Sequence, residues 1–391
     1  MFHILTLNNI AAVGLNQLPA DRFNVSADAA DPEGILVRSA SMHEMELGDN
    51  LMAIARAGAG VNNIPIEKCN EKGIVLFNTP GANANAVREL VMAGVLLSSR
   101  KIMDGISWAL TLKGEKDVPG LVENGKSKFA GPEIAGKNMG VIGLGAVGVL
   151  VANACNSMNM QVEGFDPYIS VDSAWHLSRS IIKASTPDMI YETSDYISLH
   201  LPLNDDTRNM INRDVISKMK DGVRIMNFSR GELVDNDAIK EALKSGKVSA
   251  YVTDFPNGEL LGVENVICIP HLGASTPESE ENCAVMAANQ LKRFLEDGSI
   301  INSVNMPECD FPLTERSRIC VIHQNIPNVV GPVTTALAKR SINIDNMVNK
   351  SKKTMAYTMI DVDNGHLKGG EADKLKTELL AINGVIKVRV I

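Results

Sequence analysis

The fold is decided by residues 138–148, which are Asn138-Met139-Gly140-Val141-Ile142-Gly143-Leu144-Gly145-Ala146-Val147-Gly148. The glycines fit G-x-G-x-x-G, a pattern that is weak alone but here follows a predicted strand and opens a predicted helix. The first glycine permits a tight turn, the second lets a pyrophosphate approach the backbone, and the third lets helix and strand pack closely. Free N–H groups at the helix N-terminus would then bind the phosphates. The stretch predicts a dinucleotide-binding βαβ unit in a parallel sheet.

A carboxylate follows this unit at the expected place. Asp166 ends the next predicted strand, 18 residues after Gly148. There it would accept hydrogen bonds from the adenosine ribose hydroxyls and repel a 2′-phosphate. No arginine follows at once in Pro167-Tyr168-Ile169, which favours NAD over NADP. The alternative is a βαβ turn without a ligand, with Asp166 as an ordinary surface residue.

Composition and charge exclude several classes of function. The 391 residues are 45% apolar and 21% charged, which is an ordinary globular mix with room for about two to four domains. A net charge of −8 without a basic block disfavours nucleic acid as a partner. No apolar run approaches the ~20 residues of a membrane span, and no signal-peptide pattern opens the chain, so we expect a cytoplasmic location. The six scattered cysteines lack zinc spacing, which predicts reduced thiols and no metal site.

Short apolar runs alternate with helical patterns over most of the chain, and this alternation is typical of parallel α/β sheets. The last 75 or so residues differ, because they follow the order strand, helix, strand, strand, helix, strand. This βαββαβ order predicts a ferredoxin-like α+β domain. We interpret Ser303 to Ser317, with Pro307 and Pro312, as the linker before it.

Three charged residues follow predicted strands of the sheet that begins at residue 138: Arg230, Glu259 and His271. Ligands of parallel sheets bind at the carboxyl ends of strands, so these side chains are expected in one crevice with the cofactor. Arg grips a carboxylate bidentately, and His exchanges a proton near neutral pH. Glu259 close to His271 would orient the imidazole and favour its charged form. Together they predict interconversion of a 2-hydroxy acid and a 2-keto acid.

Simpler interpretations of these residues stay open. Arg230 is also explained as a turn residue with a surface ion pair, His271 as a structural histidine, and Glu259 as an ordinary loop carboxylate. His200, in Leu199-His200-Leu201-Pro202, is a rival base. Its strand comes earlier in the sheet, so we place it beside the adenine half of the cofactor.

Taken together, these motifs resemble the D-isomer-specific 2-hydroxyacid dehydrogenases. The residues that carry the resemblance are the glycine turn with Asp166, residues 198–202, residues 226–231, Asp254-Phe255-Pro256 with Glu259, and residues 270–273. The resemblance implies that Arg230 binds the substrate carboxylate, His271 donates the proton and Glu259 is its partner. It also implies an NAD site formed by Gly143, Gly145, Ala146, Val147, Gly148, Asp166, His200, Pro202, Phe228, Ser229, Arg230, Asp254, His271, Leu272, Gly273 and Ala274.

The same resemblance implies the domain organisation and the substrate. Residues 1–80 and 278–305 would form a substrate-binding domain and residues 81–277 the NAD-binding domain, both Rossmann-like and doubly wound. The implied reaction is oxidation of 3-phospho-D-glycerate to 3-phosphohydroxypyruvate, the first step of phosphorylated L-serine biosynthesis. The implied substrate residues, besides Arg230, are Arg38, Ser39, Arg56, Ala59, Gly60 and Asn78. Guanidinium and N–H donors suit a substrate with about three negative charges.

Residues 317–391 resemble an ACT domain, a regulatory module that binds amino acids between paired copies. The positions at which serine-inhibited relatives bind serine are occupied in this chain by His323, Asn325 and Asn343. This match implies that L-serine is an effector. The residue after Pro327 is Asn328 where those relatives have glycine, so a pure assembly role stays open, as do homodimer and homotetramer. Two other functions also stay open: a reductase for unphosphorylated hydroxypyruvate or glyoxylate, and a non-catalytic NAD-sensing corepressor.

Overall fold

The described residues of this computed structural model, 1–311, 316–363, 367 and 370–391, form three β-sheets. Residues 1–82 and 277–391 make one compact unit, and residues 83–276 make the other. Of the Ser303–Ser317 linker prediction, residues 312–315 lie outside the described part of the chain.

The first sheet is entirely parallel, with strand order β2-β1-β3-β4-β5. Its strands β3 to β5 are nearly continuous apolar runs, as expected of a parallel sheet covered on both faces. The elements are β1 Phe2–Leu7, α1 Ala12–Leu15, β2 Phe23–Ser26, β3 Gly34–Val37, β4 Ala53–Arg56, α2 Ile66–Glu71 and β5 Val75–Phe77.

The second unit contains a seven-stranded parallel sheet of order β12-β11-β10-β9-β6-β7-β8. Its strands are β6 Asn138–Ile142, β7 Gln161–Phe165, β8 Ile182–Lys183, β9 Tyr196–Leu199, β10 Val223–Asn227, β11 Val248–Thr253 and β12 Val266–Cys268. Its helices are α3 Ala84–Ser99, α4 Ile102–Thr111, α5 Val118–Gly125, α6 Ala146–Ser157, α7 Val171–Trp175, α8 Pro187–Thr193, α9 Arg213–Lys218 and α10 Asn236–Ser245. The strand order reverses between β6 and β9, which is where such sheets bind their ligands.

The chain then returns to the first unit through helix α11, Pro277–Asp297, and forms an antiparallel sheet of order β14-β15-β13-β16. The remaining elements are β13 Ser317–Gln324, α12 Val330–Lys339, β14 Ile344–Lys352, β15 Met355–Val362, α13 Glu371–Leu380 and β16 Val385–Val390. The βαββαβ order of the last 75 or so residues is therefore confirmed.

This third sheet shares a core with the first. Cys320 and Tyr357 belong to one buried apolar cluster with Ile4 and Leu291. The hydroxyl of Tyr357 donates to the carbonyl of Gly298, 2.7 Å away, just past the end of α11. Apolar burial and a satisfied polar group thus join the two sheets within one unit.

The predicted linker is wrong for its first half. Val304 donates its N–H to Leu76 O at 2.8 Å, and Leu76 donates its own to Asn305 Oδ1 at 2.9 Å. Met306 and Cys309 are buried. An asparagine that satisfies the edge of β5 fixes this segment against the first sheet, which a composition rich in proline and charge does not reveal.

The described helices include none with the length and apolar character needed to span a bilayer. All six cysteines are free thiols, and five of them are buried.

Candidate active site

The glycine turn joins β6 to α6 at the switch point of the second sheet. A Cβ at Gly148 would lie 2.9 Å from the carbonyl carbon of Gly143 and closer still to its oxygen, so only glycine fits. A Cβ at Gly145 would meet no described atom within 4 Å, so this residue borders open space. Gly145 caps α6 without a side-chain hydrogen bond, which leaves the first N–H groups of the helix available. The turn thus leaves backbone N–H groups available to an anion, and its role in binding phosphate stays a prediction.

Asp166 follows β7 and is held by the backbone around it. Its Oδ2 accepts from the N–H of Leu144 at 2.8 Å, and its Oδ1 accepts from that of Tyr168 at 2.8 Å. Each carboxylate oxygen can accept a second hydrogen bond, so the group keeps capacity for a ribose hydroxyl. The carboxylate is therefore oriented by the glycine turn itself.

Arg230 follows β10 and has an exposed side chain. The buried amide of Asn227 donates to the carbonyl of Arg230 at 2.8 Å and to the hydroxyl of Tyr251 at 3.2 Å. Ser229 donates to Leu199 O on the neighbouring strand at 2.7 Å. The backbone under the guanidinium is thus fixed, and the exposed guanidinium itself donates from Nη1 to the carbonyl of Ser229 at 2.6 Å.

His271 and Asp254 follow the neighbouring strands β12 and β11. Both line a cavity of about 630 Å³ in this unit. The ring of Phe255 packs edge-on against the imidazole of His271 at 4.9 Å between centroids. Asp254 is only 2% exposed, and its Oδ1 has no hydrogen-bond partner among the described residues. Burial raises the pKa of this carboxyl, and the charges of His271 and Arg230 oppose that shift.

The structure does not pair Glu259 with His271. Oε2 of Glu259 accepts from Asn236 Nδ2 at 3.0 Å and lies 3.7 Å from Nζ of Lys240. No hydrogen bond joins it to the imidazole within the described part of the chain. The prediction of direct proximity therefore needs correction, because two polar groups at the start of α10 hold the exposed carboxylate instead.

His200 follows β9 in the second unit, beside the turn. Its Nε2 lies 2.8 Å from Oγ of Ser198. Burial lowers the pKa of this imidazole to about 4, so it is neutral at pH 7. An imidazole with so low a pKa accepts a proton only weakly at neutral pH, which weakens its case as the rival base.

The other predicted cofactor residues differ in accessibility. Pro202 and Leu272 are exposed, and Ala146, Val147, Ser229 and Ala274 are at least partly accessible. Phe228 is buried in the core, where its ring packs against Gly94, so only its backbone is available to a ligand. A Cβ at Gly273 would lie 3.4 Å from Oδ2 of Asp254, which keeps this loop close to the buried carboxylate.

In the first unit, Arg38, Arg56 and Asn78 follow or end three neighbouring parallel strands, β3, β4 and β5. Nε of Arg56 donates to the carbonyl of Arg38 at 3.0 Å, and Asn78 Nδ2 donates to Ala59 O at 2.6 Å. Burial and the nearby charge of Arg38 lower the pKa of Arg56. The sequence-predicted substrate residues of this unit thus meet at one sheet edge.

Two contacts shape this edge. Gly58 has φ +153°, and a Cβ there would lie 2.8 Å from Cζ of Arg56, so glycine leaves room for the guanidinium. Arg38 Nη2 forms an ion pair with Oε1 of Glu280 on α11 at 2.6 Å. Ser39, Ala59 and Gly60 complete the predicted set on the loops; the N–H of Ser39 donates to Oδ1 of Asn8 at 3.1 Å.

The predicted serine residues do not converge within one chain. His323 is buried, with Nδ1 2.8 Å from Gln324 O and Nε2 2.9 Å from Oγ1 of Thr358. Asn343 precedes β14 at the opposite end of the sheet, roughly 20 Å away by strand register. Asn325 donates to Lys353 O at 3.0 Å. Asn328 does adopt a left-handed φ of +62°.

Three site residues escaped the sequence-based assignment: Asn227, Asn236 and Phe255. Asn227 lies at the end of a buried strand, where an amide without hydrogen-bond partners would be unfavourable. Its position in the strand could therefore have identified it from the sequence. Asn236 and Phe255 gave no such signal, because their partners are far away in sequence.

The second unit fits a nicotinamide dinucleotide. The open space at Gly145 and the uncapped α6 suit a pyrophosphate, Asp166 suits a ribose, and the orphaned Oδ1 of Asp254 suits a carboxamide N–H.

Comparisons with known proteins agree with this geometry. Residues 94–273 match the NAD binding domain of the D-isomer specific 2-hydroxyacid dehydrogenases. D-3-phosphoglycerate dehydrogenase of Archaeoglobus fulgidus is 35% identical over 288 residues, 71% of this chain and 52% of the relative, so the chain spans about half that relative's length. Hydroxypyruvate reductase of Thermotoga maritima is 38% identical over 273 residues, 67% of this chain and 84% of the relative. The NAD+-bound 3-phosphoglycerate dehydrogenase of Entamoeba histolytica has a TM-score of 0.59 and 26% identity, covering 78% of this chain and 98% of that one.

Proposed function

Because the chain belongs to the D-isomer specific 2-hydroxyacid dehydrogenase family, we propose that it oxidises 3-phospho-D-glycerate to 3-phosphohydroxypyruvate with NAD, the first step of phosphorylated L-serine biosynthesis. The observation that carries the proposal is the placement of Arg230, Asp254 and His271 after three adjacent strands of the NAD-binding sheet. Relatives named D-3-phosphoglycerate dehydrogenase support the choice of substrate.

NAD, when bound, accepts a hydride from C2 of the hydroxy acid. His271 takes the hydroxyl proton as the hydride leaves and returns it to the keto oxygen in the reverse reaction. Arg230 binds the substrate carboxylate through its planar fork of donors and polarises the neighbouring oxygen. The backbone anchor from Asn227 limits the loss of conformational freedom when the arginine engages its ligand.

Glu259 assists His271 in this proposal only after it leaves Asn236 and Lys240. A carboxylate beside the imidazole would stabilise the imidazolium that forms when His271 takes the hydroxyl proton. Replacing Glu259 by Gln should then lower kcat. An unchanged kcat would mean that Glu259 only anchors its loop.

The substrate phosphate is assigned to Arg38 and Arg56. Two guanidinium groups at one sheet edge offer charge-assisted hydrogen bonds to a dianion. R38A and R56A should each lower kcat/KM for phosphohydroxypyruvate by at least tenfold and leave the value for plain hydroxypyruvate nearly unchanged. Equal losses on both substrates would contradict the assignment.

A second candidate is reduction of unphosphorylated hydroxypyruvate, because the Thermotoga maritima relative carries that name and matches over 84% of its length. Steady-state NADH oxidation with phosphorylated and plain hydroxypyruvate separates the two. A clear preference for the phosphorylated keto acid supports the first proposal, and equal kcat/KM values support the second.

The alternative of a non-catalytic NAD sensor of the same fold would be excluded by turnover that is lost when a residue of the site is replaced. Replacing Arg230 by Ala should reduce kcat/KM by two orders of magnitude or more, about 3 kcal/mol, as a bidentate charged contact is lost. The matched control is R213A, which removes an exposed guanidinium paired with Glu241 at 2.6 Å. Normal turnover in R230A would refute the site.

We further propose that residues 317–391 form an ACT-type module that binds L-serine between two copies of the chain. The antiparallel βαββαβ sheet supports the module, and the separation of His323 from Asn343 is what a site shared by two copies requires. Serine should inhibit NADH oxidation and release heat in calorimetry, with both effects lost in H323A. If the rate of NADH oxidation stays constant across a serine titration and calorimetry shows no heat of binding, the module serves only in assembly. Sedimentation then measures whether the chain forms a dimer or a tetramer. The free thiols fit a cytoplasmic protein.

A further inference from the structure

A cavity of about 950 Å³ lies within the first unit, where the end of helix α11, helix α13 and strand β16 meet. None of the residues that line it is assigned above to NAD, to the substrate or to serine. Pockets of about 300–1,000 Å³ hold small molecules. The cavity is therefore large enough for a ligand of the size of a metabolite.

Three cations line this cavity without an anionic partner. Lys376 lies on α13, and Lys387 and Arg389 lie on β16. None of the three is buried, so each is accessible from the cavity. No carboxylate of the described residues lies within 4.0 Å of any nitrogen of these side chains. The lining thus carries positive charge that the described part of the chain does not neutralise.

The carboxylates of the lining have other partners. Each acidic residue that lines the cavity is paired with a cation other than these three, so it cannot take the place of an external anion. The pairs are Glu296 with Arg22 at 2.6 Å, Asp297 with Arg293 at 3.6 Å and Asp49 with Lys72 at 3.1 Å.

The two cations of β16 are held by backbone carbonyls. They lie two residues apart on one strand, so their side chains share a face of the sheet. Nζ of Lys387 donates to Leu51 O at 2.6 Å, and Arg389 donates to Phe294 O at 2.9 Å and Leu295 O at 2.7 Å. An ammonium has three N–H donors and a guanidinium has five, so each group keeps a donor for a ligand.

Lys387 carries its charge in an unfavourable position. Burial and the charge of Arg389 lower the pKa of Lys387 to about 8, Lys72 and Lys376 lower it as well, and Asp49 opposes the shift. Strand β16 is an edge of its sheet, and a lysine that only protects an edge strand extends into solvent. Lys387 instead donates inward, where a charge without a counter-ion is costly. Its position therefore indicates an anion that binds beside it.

We propose that this cavity binds a small organic molecule with two or three negative charges on carboxylates or phosphates. Three cations that find no carboxylate among the described residues match such a molecule in charge, and charge-assisted hydrogen bonds hold both kinds of oxygen. The apolar side chains of Leu295, Leu380 and Ile386 also line the cavity and accept a short carbon chain. A neutral ligand would leave the cations uncompensated, and a cationic ligand would be repelled.

Tricarballylate, glutarate and butyrate test the dependence on charge, because they share a short carbon chain and carry three, two and one carboxylates. Calorimetry on the full chain at pH 7 and constant ionic strength should show affinity that rises about tenfold or more from butyrate to tricarballylate. Glycerol 2-phosphate, a dianion like glutarate, separates the two chemistries. Tighter binding of the phosphate indicates a phosphorylated ligand, and tighter binding of glutarate indicates a polycarboxylate.

Single-site variants locate the binding. K376Q should weaken tricarballylate binding about fivefold or more without lowering the Tm. The matched control is K374Q, which removes a lysine of the same helix that pairs with Glu371 at 2.7 Å and is not part of the lining; it should bind normally. Affinity should also fall about threefold or more from pH 7 to pH 9 as Lys387 loses its proton. K387Q should remove most of that pH dependence.

Three outcomes would overturn the proposal. These are equal affinity for butyrate and tricarballylate, unchanged tricarballylate binding in both K376Q and K387Q, and binding that is lost in R56A but kept in K376Q. The last result would place the anion in the proposed substrate site. The readout is binding and not turnover, so failure here and failure of the proposed dehydrogenase activity are distinguishable.

Discussion

Replacing two glycines of the same turn by alanine should affect two different properties: the stability of the chain at Gly148 and its affinity for NAD at Gly145. At Gly148 an added Cβ would lie 2.9 Å from the carbonyl carbon of Gly143 and nearer to its oxygen. Both atoms belong to the backbone, so no side-chain rotation relieves the overlap, and the start of α6 must move away from β6. Overpacking of this kind typically costs about 1–3 kcal/mol, and we expect the upper part of that range. The midpoint of thermal unfolding should fall by roughly 5–10 °C.

At Gly145 an added Cβ meets nothing within 4 Å, and the residue has φ −77°, which alanine adopts without strain. G145A should therefore unfold like the wild type. Its methyl group occupies the space through which the pyrophosphate approaches the backbone, so NAD binding should weaken about ten- to a hundredfold.

The assay combines thermal denaturation with calorimetric titration of NAD for both variants. The expected pattern is lost stability in G148A and lost affinity without lost stability in G145A. Wild-type affinity in G145A would refute the phosphate cradle, and wild-type stability in G148A would refute the close contact of helix and turn.

Three further predictions concern ionisable groups that are at least partly buried. Burial lowers the pKa of His200 to about 4, so the folded state binds fewer protons than the unfolded state between pH 6.5 and 4; about 3 kcal/mol of stability should be lost as pH falls through that window, and H200Q should not show this loss in urea titrations. Arg318 is fully buried and bidentate on Asp361, so D361N should destabilise the chain by about 3–5 kcal/mol in denaturation, whereas an R318M/D361L pair should recover most of it. Burial raises the pKa of Asp254, so its carboxylate destabilises the fold increasingly as pH rises above about 4; D254N should gain stability over the wild type in that direction and weaken NAD binding in calorimetry.

Most of the fold could be predicted from the sequence because apolar periodicity and turn chemistry are local. The glycine turn depends on a few adjacent residues, as does the start of α10, where the side chain of Asp235 accepts from the N–H groups of Asp237 and Ala238. Short elements such as β8, with two residues, carry too little pattern to be recognised. Helix α4 has no buried residue although its sequence is rich in apolar residues, including the exposed Ile102, Ile106 and Leu110, so its apolar pattern does not identify how it packs.

The candidate site was predictable to a different degree. Arg230 and His271 each follow a parallel strand, and the carboxyl ends of parallel strands lie at the same edge of the sheet. Their placement at one edge therefore does not depend on the conformation of the loops. The partner of Glu259 was not predictable, since an exposed carboxylate has several neighbours of similar energy and the loop decides among them. The pairing with Lys240 joins residues 19 apart on a loop and a helix, and no local rule connects them.

The arginines of the first unit differ in how readily they can exchange partners. The Arg318–Asp361 pair is buried, and breaking it leaves an uncompensated charge. The Arg38–Glu280 pair is 40% and 42% exposed, and such pairs contribute about 0–1 kcal/mol. A substrate phosphate can therefore displace Glu280 at small cost, and E280Q should lower KM for the phosphorylated substrate by at most about fivefold while KM for plain hydroxypyruvate stays constant. E296Q is the matched control, because Glu296 on the same helix pairs with Arg22 at 2.6 Å. A higher KM in E280Q would mean that Glu280 positions Arg38 for the phosphate and does not compete with it.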